Sequence, residues 1–220
     1  MDRLYRIARS YTLKWKQQLI TTYAKKKTLL DYGCGTGSFL AHMKAKGWNV
    51  TGVEPSSDAR TKASENAIVH ELIQSVDGTY SIITLWHVLE HIHDLNKTLT
   101  ELSKRLEASG TIFIAVPNCK SADATHYKNH WAAYDVPRHL WHFNKQTMTQ
   151  VLANAGFDVQ KIVPMKLDAY YVSLLSESYK DSNAGTLIRY FRAFHQGWNS
   201  NRAARKTGEY SSLIYIAKKS

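Results

Sequence analysis

Two hydrophobic repeats alternate along the chain. Short apolar runs typical of buried strands occur at TLLDYG (28–33), WNVTGVE (48–54), YSIITLW (80–86), GTIFIAVPN (110–118), FDVQKIVPM (157–165) and SSLIYIAKK (211–219), with a weaker run near 67–72. Apolar residues spaced three and four apart predict helices between them, over about 38–46, 56–65, 94–110 and 144–155. Strands that alternate with helices in this way predict an α/β fold with a doubly wound, mostly parallel sheet of seven strands.

Two segments lie outside this alternation. Residues 1–27 carry apolar positions such as Tyr11, Trp15 and Leu19 at helical spacing, which predicts an N-terminal helical extension. Residues 166–208 also have a mostly helical pattern and are too long for a hairpin, so they form a helical insertion before the last strand. We expect a single domain over 1–220 in which the insertion acts as a lid or as a dimer element.

Charge and cysteine content narrow the class of protein. The formal net charge is +11, and basic residues concentrate in 1–27 and 189–206, which favours an anionic substrate, nucleic acid or membrane surface as partner. We expect neither a signal peptide nor a membrane span, because charges interrupt the short apolar runs of the N-terminal segment and no apolar run approaches the roughly 20 residues that a span needs. The two cysteines cannot form a disulfide framework, so we expect reduced thiols and a cytoplasmic location.

A glycine-rich turn follows the first strand, with Gly33, Gly35 and Gly37 in the pattern G-x-G-x-G. No Gly-Lys-Ser/Thr follows, and the spacing differs from that of the dinucleotide fingerprint. Asp31 at the strand end would repel a pyrophosphate and attract a ligand that carries an ammonium and a sulfonium group. Glu54 closes the second strand, where an acidic residue can accept hydrogen bonds from both hydroxyls of a ribose.

These motifs resemble the class I S-adenosylmethionine-dependent methyltransferases, and in particular the ubiquinone-biosynthesis O-methyltransferase group. D-x-G-C-G-T-G (31–37), V-E-P (53–55) and H-V-L-E-H-I (87–92) follow the first, second and fourth strands in the family's order. The resemblance covers most of 28–165 and implies S-adenosyl-L-methionine as cofactor. The cofactor-binding residues that it implies are Asp31, Gly33, Cys34, Gly35, Gly37, Glu54, Pro55 and Trp86. The acidic residue that many relatives place after the third strand is not identified in AIVHELIQSVDG.

The segment WHVLEHIHD (86–94) has two interpretations. It matches H-x-x-E-H, in which two histidines on a helix hold zinc, but it also fits the end of a strand followed by the first turn of a helix. In the ubiquinone-biosynthesis group the similar segment is linked to a divalent cation through two acidic residues and a histidine. Here His87 replaces the first acidic residue, whereas Glu90 and His91 match. We expect no metal, because this replacement disfavours a hard ion such as Mg²⁺.

The acceptor side is expected in 126–144, which is rich in histidine and aromatic residues. Its D-x-P-R-H-L-x-H-F portion (135–143) resembles the segment that follows the fifth strand in this group, where the acceptor enters. His139 and Asp135 are the candidates for a catalytic base, and the resemblance places His87 beside the sulfonium. We expect Arg138 to pair with an acidic acceptor or with Glu90, and His142 to be a core residue.

The expected function is methyl transfer to an oxygen atom of a small-molecule acceptor, for which the basic charge favours an anionic compound. Methylation of RNA or protein is the alternative, although the chain has Trp86-His87-Val88-Leu89 where base N-methyltransferases carry an N-P-P-Y-type tetrapeptide. A cofactor-binding module without catalysis is the non-enzymatic alternative.

Overall fold

The strands of the chain form one seven-stranded sheet. The computed structural model describes the backbone of residues 2–220 and side chains from Ala8 onward, so part of the expected 1–27 extension lies outside the described side chains. The strands are β1 (Thr28–Tyr32), β2 (Asn49–Val53), β3 (Ile68–His70), β4 (Tyr80–Trp86), β5 (Leu106–Pro117), β6 (Phe157–Pro164) and β7 (Ser212–Lys219). Their order is β3-β2-β1-β4-β5-β7-β6, and β1 pairs in parallel with both β2 and β4. The expected doubly wound α/β fold is confirmed.

Helices connect the strands as the alternation predicts. They are α1 (Asp2–Thr21), α2 (Ser38–Lys44), α3 (Ser57–Ser64), α4 (Leu95–Arg105), α5 (Ala122–Tyr127), α6 (Lys145–Asn154), α7 (Asp168–Lys180) and α8 (Thr186–Thr207). In the part of the chain with described coordinates, none of these helices has the length and apolarity needed to cross a membrane.

The boundary between α4 and β5 differs from the expectation. The helix ends at Arg105 and the strand begins at Leu106, whereas the sequence pattern predicts a helix that continues to Gly110. Gly110 leaves room for the Leu106 side chain, since a Cβ at residue 110 would lie 2.7 Å from Leu106 Cδ1. The glycine therefore accommodates a close approach within the strand segment instead of ending a helix.

The chain divides into two compact units. Unit 1 comprises the residues up to Trp86 together with Lys97–Phe113 and Ala217–Ser220. Its centre consists of apolar side chains of β1, β4 and α2 that have no exposed surface, namely Leu29, Leu30, Ile82, Ile83, Leu40 and Met43. The three central residues of β1 are all buried, as expected for a parallel strand that is covered on both faces.

Unit 2 comprises His87–Asn96 and Ile114–Ile216, and its insertion is the helix pair α7 and α8. Helix α8 buries a stripe of small residues at steps of four, three and four, namely Ala193, Gly197, Ser200 and Ala204. A Cβ on Gly197 would lie 2.7 Å from Tyr170 Cδ1 of α7. The missing side chain thus lets the two helices pack closely.

A buried carboxylate joins distant segments of unit 2. Asp123 in α5 has no exposed surface, and its oxygens accept hydrogen bonds from Trp131 Nε1 (2.8 Å), Ser200 Oγ (2.6 Å) and Ser211 Oγ (2.7 Å). Burying a carboxylate is costly unless its lone pairs are occupied, and these three donors meet that requirement. The segment after β5, helix α8 and the approach to β7 therefore meet at a single side chain.

Candidate active site

The glycine turn of unit 1 follows β1, and its three glycines have different surroundings. Gly33, Gly35 and Gly37 all have positive φ angles, of 73°, 54° and 76°. A Cβ added to Gly37 would lie 2.8 Å from Ala63 in α3, so this glycine permits the close packing of α2 on α3. A Cβ added to Gly35 would meet nothing within 4 Å. Open space beside the backbone is therefore found at Gly35, where a ligand could approach.

Glu54 binds the glycine turn directly. Its Oε2 accepts a hydrogen bond from the Gly35 amide at 2.8 Å, and its Oε1 accepts one from the Ser56 amide at 3.0 Å. Arg60 holds the adjoining backbone by donating to the carbonyls of Glu54 (2.8 Å) and Pro55 (2.9 Å). Each carboxylate oxygen retains a lone pair, so the oriented carboxylate can still accept hydrogen bonds from two ligand hydroxyls.

Asp31 is a buried carboxyl group at the carboxyl end of β1. Its side chain is 2% exposed, and Thr84 in β4 donates a 2.6 Å hydrogen bond to Oδ1. Burial raises the pKa of Asp31 to about 7, even though Thr84 and the charge of Lys16 both act to lower it. A cation placed beside Asp31 would favour the ionised form, so this group is suited to a positively charged ligand.

Trp86 and Cys34 are two further expected cofactor-binding residues of unit 1. Lys16 Nζ of α1 lies 3.9 Å from the centroid of the Trp86 ring, and Phe39 meets that ring edge-on at 5.6 Å. The Trp86 Nε1 atom is buried and has no hydrogen-bond partner within the described residues. Burial raises the pKa of the Cys34 thiol to about 12, so Cys34 is a neutral packing group at neutral pH.

The position after β3 holds an acidic residue that the sequence pattern did not identify. β3 ends at His70, so Glu71 is the first residue beyond it, and Arg60 Nη2 lies 3.0 Å from Glu71 Oε2. The sequence pattern predicted a strand that continued to residue 72, which hid this position inside the strand.

In unit 2, His87 begins a group of polar side chains. Its Nε2 lies 2.9 Å from Asp168 Oδ2 and its Nδ1 lies 3.4 Å from Glu90 Oε1. Burial alone would lower the pKa of His87, but the two carboxylates raise it to about 10. His87 is therefore an imidazolium at neutral pH, with no lone pair to accept a proton. Its φ of 55° is costly for a residue with a side chain, and such conformations concentrate at functional sites.

The helical zinc interpretation of H-x-x-E-H does not fit this geometry. His87 lies outside the short 3₁₀ turn Leu89–His91, so the two histidines are not on successive turns of one helix. Their polar contacts also differ, because His91 Nδ1 bonds to the Arg138 carbonyl at 2.9 Å.

Glu90, His91 and His139 form a cluster whose ligand atoms all lie within 4.8 Å of one another. Nδ1 of His139 lies 2.8 Å from the Ala133 carbonyl, as that of His91 does from Arg138. A carbonyl only accepts hydrogen bonds, so each neutral ring carries its proton on Nδ1 and a lone pair on Nε2. Glu90 is fully buried, and neither carboxylate oxygen has a hydrogen-bond partner among the described groups.

This cluster fits a divalent cation by its chemistry. Two imidazole nitrogens whose opposite N–H groups are fixed by backbone carbonyls, together with a buried carboxylate whose ion pair is with His87 Nδ1 at 3.4 Å, are a donor set that metals use. Imidazole ligands favour borderline ions such as Zn²⁺ over Mg²⁺. The expectation that no metal is used remains a prediction.

The segment after β5 places Asp135 near His139 and corrects the expectation for Arg138. Arg138 Nη2 pairs with Asp135 Oδ1 at 2.6 Å instead of pairing with Glu90, because the two residues lie on one tight turn. His139 Nε2 lies 3.8 Å from Asp135 Oδ2, and burial lowers the pKa of His139. His142 is exposed and its Nε2 lies 3.0 Å from the Tyr134 carbonyl, so it is not the core residue that we expected.

Comparison with protein families identifies the family to which the chain belongs. A family model described as a methyltransferase domain matches residues 4–162. The chain belongs to this methyltransferase family. The family expected from the three motifs is thereby confirmed.

Relatives of this methyltransferase include the ubiquinone biosynthesis O-methyltransferase of Hydrogenovibrio crunogenus. It is 29% identical over 106 residues, which span 43% of this chain and 44% of the relative. The match thus covers less than half of the relative's length.

Solved structures share the fold. A SAM-dependent methyltransferase from Archaeoglobus fulgidus superimposes with a TM-score of 0.64 at 21% identity, over 96% of this chain and 94% of that one. The magnesium protoporphyrin IX methyltransferase from Synechocystis, solved with SAH bound, gives a TM-score of 0.63 at 14% identity, over 98% and 85%.

Several polar residues of this methyltransferase were not identified from the sequence. Thr84 and Lys16 act on Asp31, and Asp168 acts on His87. Asp168 is 81 positions from its partner, and no local spacing relates the two. Glu71 could have been found if the end of β3 had been placed correctly.

Proposed function

We propose that this chain transfers a methyl group from S-adenosylmethionine to an oxygen atom of a small-molecule acceptor. The observation that carries the proposal is the turn of unit 1, in which open space at Gly35 adjoins the Glu54 carboxylate. The names of the curated relatives support transfer to oxygen.

Unit 1 binds the cofactor in this proposal. Glu54 accepts hydrogen bonds from the ribose hydroxyls with the lone pairs left by the two backbone amides. Asp31 attracts the cationic methionine portion, and Trp86 and Cys34 exclude water from it. Gly33, Gly37 and Pro55 hold the turn and the end of β2 in place.

Unit 2 aligns and deprotonates the acceptor. His139 is neutral because burial lowers its pKa, and its Nε2 lone pair takes the proton of the acceptor hydroxyl. The freed oxygen attacks the methyl carbon in line, the carbon–sulfur bond breaks, and its electron pair goes to sulfur, which leaves S-adenosylhomocysteine. Asp135 stabilises the resulting imidazolium from 3.8 Å. His87 is protonated and positions the site instead of acting as the base.

A divalent cation would be held by Glu90, His91 and His139, and when bound it would supply polarisation of an acceptor oxygen. His139 has only its Nε2 lone pair to offer, so the deprotonation by His139 described above applies to the protein without a cation at this position.

The proposal has three further features, namely the charge of the acceptor, the cellular location and the role of helices α7 and α8. An anionic acceptor is favoured by the net charge of +11, and a cytoplasmic location by the two free thiols. Helices α7 and α8 act as a lid on the acceptor, since Asp168 at the start of α7 holds His87.

Titration calorimetry with S-adenosylmethionine and S-adenosylhomocysteine tests the cofactor. We expect saturable binding of both, and absence of binding at millimolar concentration would refute the proposal. Transfer of a radioactive methyl group in a cell extract tests the acceptor: label in the small-molecule fraction supports it, whereas label only in RNA or protein contradicts it. Cofactor binding without any transfer would indicate a non-catalytic module.

A further inference from the structure

Helix α8 exposes an apolar stripe that nothing in the methyl-transfer proposal uses. Leu187, Phe191, Phe194 and Trp198 follow one another at steps of four, three and four, and are 85%, 75%, 66% and 45% exposed. This spacing places them on one side of the helix over about 16 Å of its length. The buried stripe of small residues lies about 120° away around the axis. Large side chains thus face outward on the helix that buries its small ones.

The charge of α8 is of one sign. Its 22 residues include Arg189, Arg192, Arg202, Arg205 and Lys206, and no aspartate or glutamate. Arg192 lies 3.4 Å from Asp181, just before the helix, so this pair is locally neutralised. The other basic residues have no acidic partner within α8 itself. Arg202 lies over the Trp198 ring at 5.4 Å and extends the apolar stripe with a cationic group.

We propose that α8 lies on an anionic lipid surface, with Leu187, Phe191, Phe194 and Trp198 at the level of the headgroups. A helix with a row of leucine, phenylalanine and tryptophan beside arginine and lysine has the composition of an interfacial membrane helix. The aromatic side chains enter the boundary between headgroups and acyl chains, while the basic side chains meet lipid phosphates.

The charge pattern favours this occupant over a second copy of the chain. Two α8 helices that met through their stripes would bring arginine next to arginine, with no acidic side chain on either helix to compensate. Arg202 and Arg205 lie within about 60° of the stripe around the helix axis, so a flat anionic surface compensates both of them and requires no matching pocket.

Co-sedimentation of the full chain with vesicles tests the proposal. We expect binding to phosphatidylglycerol–phosphatidylcholine vesicles that weakens as salt rises, much weaker binding to phosphatidylcholine alone, and a blue shift of tryptophan emission. Phe191→Ala should reduce the partition coefficient about tenfold or more, because it removes a large apolar group from the interface. Ile68→Ala is the matched control, since Ile68 is 68% exposed in β3 and should leave binding unchanged.

A second variant covers the case in which Phe191→Ala fails to fold. The double change Arg202→Gln and Arg205→Gln alters exposed side chains and should reduce binding to anionic vesicles while circular dichroism stays the same. Equal binding to neutral vesicles, or wild-type binding by both variants, would overturn the proposal. Absence of vesicle binding, together with concentration-dependent dimers that Phe191→Ala abolishes, would also overturn it and would indicate a second copy of the chain. Binding to polyglutamate but not to vesicles would overturn it as well and would indicate an acidic protein. None of these readouts requires cofactor or turnover, so they are independent of the proposed function.

Discussion

Among single residues, His139 bears most directly on the chemistry. His139→Ala should lower kcat by roughly 10² to 10⁴ with little change in cofactor affinity, because only the proton acceptor is lost. The loss should shrink at high pH, where the acceptor ionises unaided. His126→Ala is the control, since His126 is an exposed histidine in the same segment. Wild-type turnover in His139→Ala would mean that alignment alone drives transfer.

Asp31 predicts a pH dependence of cofactor binding. The carboxyl group has a pKa of about 7 when no ligand is bound, and a cationic ligand binds only its ionised form well. Protonation therefore competes with binding below pH 7, and the Kd for S-adenosylmethionine should rise roughly tenfold from pH 8 to pH 6. Calorimetry at both pH values measures this change. Asp31→Asn should bind more weakly and show no such dependence, and an unchanged dependence in that variant would place the titrating group elsewhere.

The sequence located some of these residues better than others. Asp31 and Glu54 follow from the rule that ligands bind beyond the carboxyl ends of parallel strands, since each ends a recognisable strand. The protonated state of His87 could not be predicted, because it depends on Asp168 in a helix 81 positions away. Likewise, the tautomers of His91 and His139 depend on backbone carbonyls that only the folded turn brings within reach.

At the scale of the turn between β1 and α2, Gly35 and Gly37 should respond differently to substitution. Gly35→Ala should weaken cofactor binding more than tenfold and lower stability by only about 1 to 2 kcal/mol, the cost of a left-handed conformation. The added Cβ meets open space in the chain but occupies the region of ligand approach. Gly156→Ala is the control for that cost, because Gly156 also has a positive φ, of 76°, and an added Cβ there would meet nothing within 4 Å. Equal cofactor affinity in Gly35→Ala and wild type would place the ligand elsewhere.

Gly37→Ala should act on stability. Its Cβ would lie 2.8 Å from Ala63, so overpacking adds to the conformational cost and the free energy of unfolding should fall by about 2 to 5 kcal/mol. Urea denaturation followed by circular dichroism measures the difference from Gly156→Ala. If the free energy of unfolding falls no further than in the control, α3 moves to accommodate the added methyl group without a loss of stability.

Element boundaries show where local pattern is insufficient. The strands β1, β2 and β4 were predicted closely, since buried parallel strands form continuous apolar runs between turn residues. The end of α4 was misplaced because Gly110 resembles a helix stop, although its lack of a side chain makes room for Leu106. The end of β3 was misplaced because Glu71 and Leu72 continue the weak strand pattern.

At the scale of the whole molecule, the insertion at 166–208 should behave as a lid. Hydrogen exchange in α7 should slow when S-adenosylhomocysteine and acceptor are both present, because Asp168 ties the start of this helix to His87. Cofactor product alone should have a smaller effect. Protection that depended only on protein concentration would instead identify a dimer contact.

The doubly wound order of the sheet was predictable, because crossover rules leave few arrangements for alternating strands and helices. The division into two compact units was not predicted, and the single sign of charge along α8 and its exposed apolar stripe differ in how far the sequence reveals them. The charge is visible in the sequence, whereas the exposure of Leu187 and Phe191 depends on which face of α8 the small residues bury.

The carboxylate of Asp123 limits how acceptor preference could be engineered. Its three donors come from the segment after β5, from α8 and from the approach to β7, so replacing 119–143 with a relative's loop would separate the carboxylate from Ser200 and Ser211. A chimera of this kind should misfold unless α8 and residue 211 are exchanged with the loop. These three stretches should therefore change together during evolution. In relatives that act on a different acceptor, substitutions at 123, 200 and 211 should occur jointly.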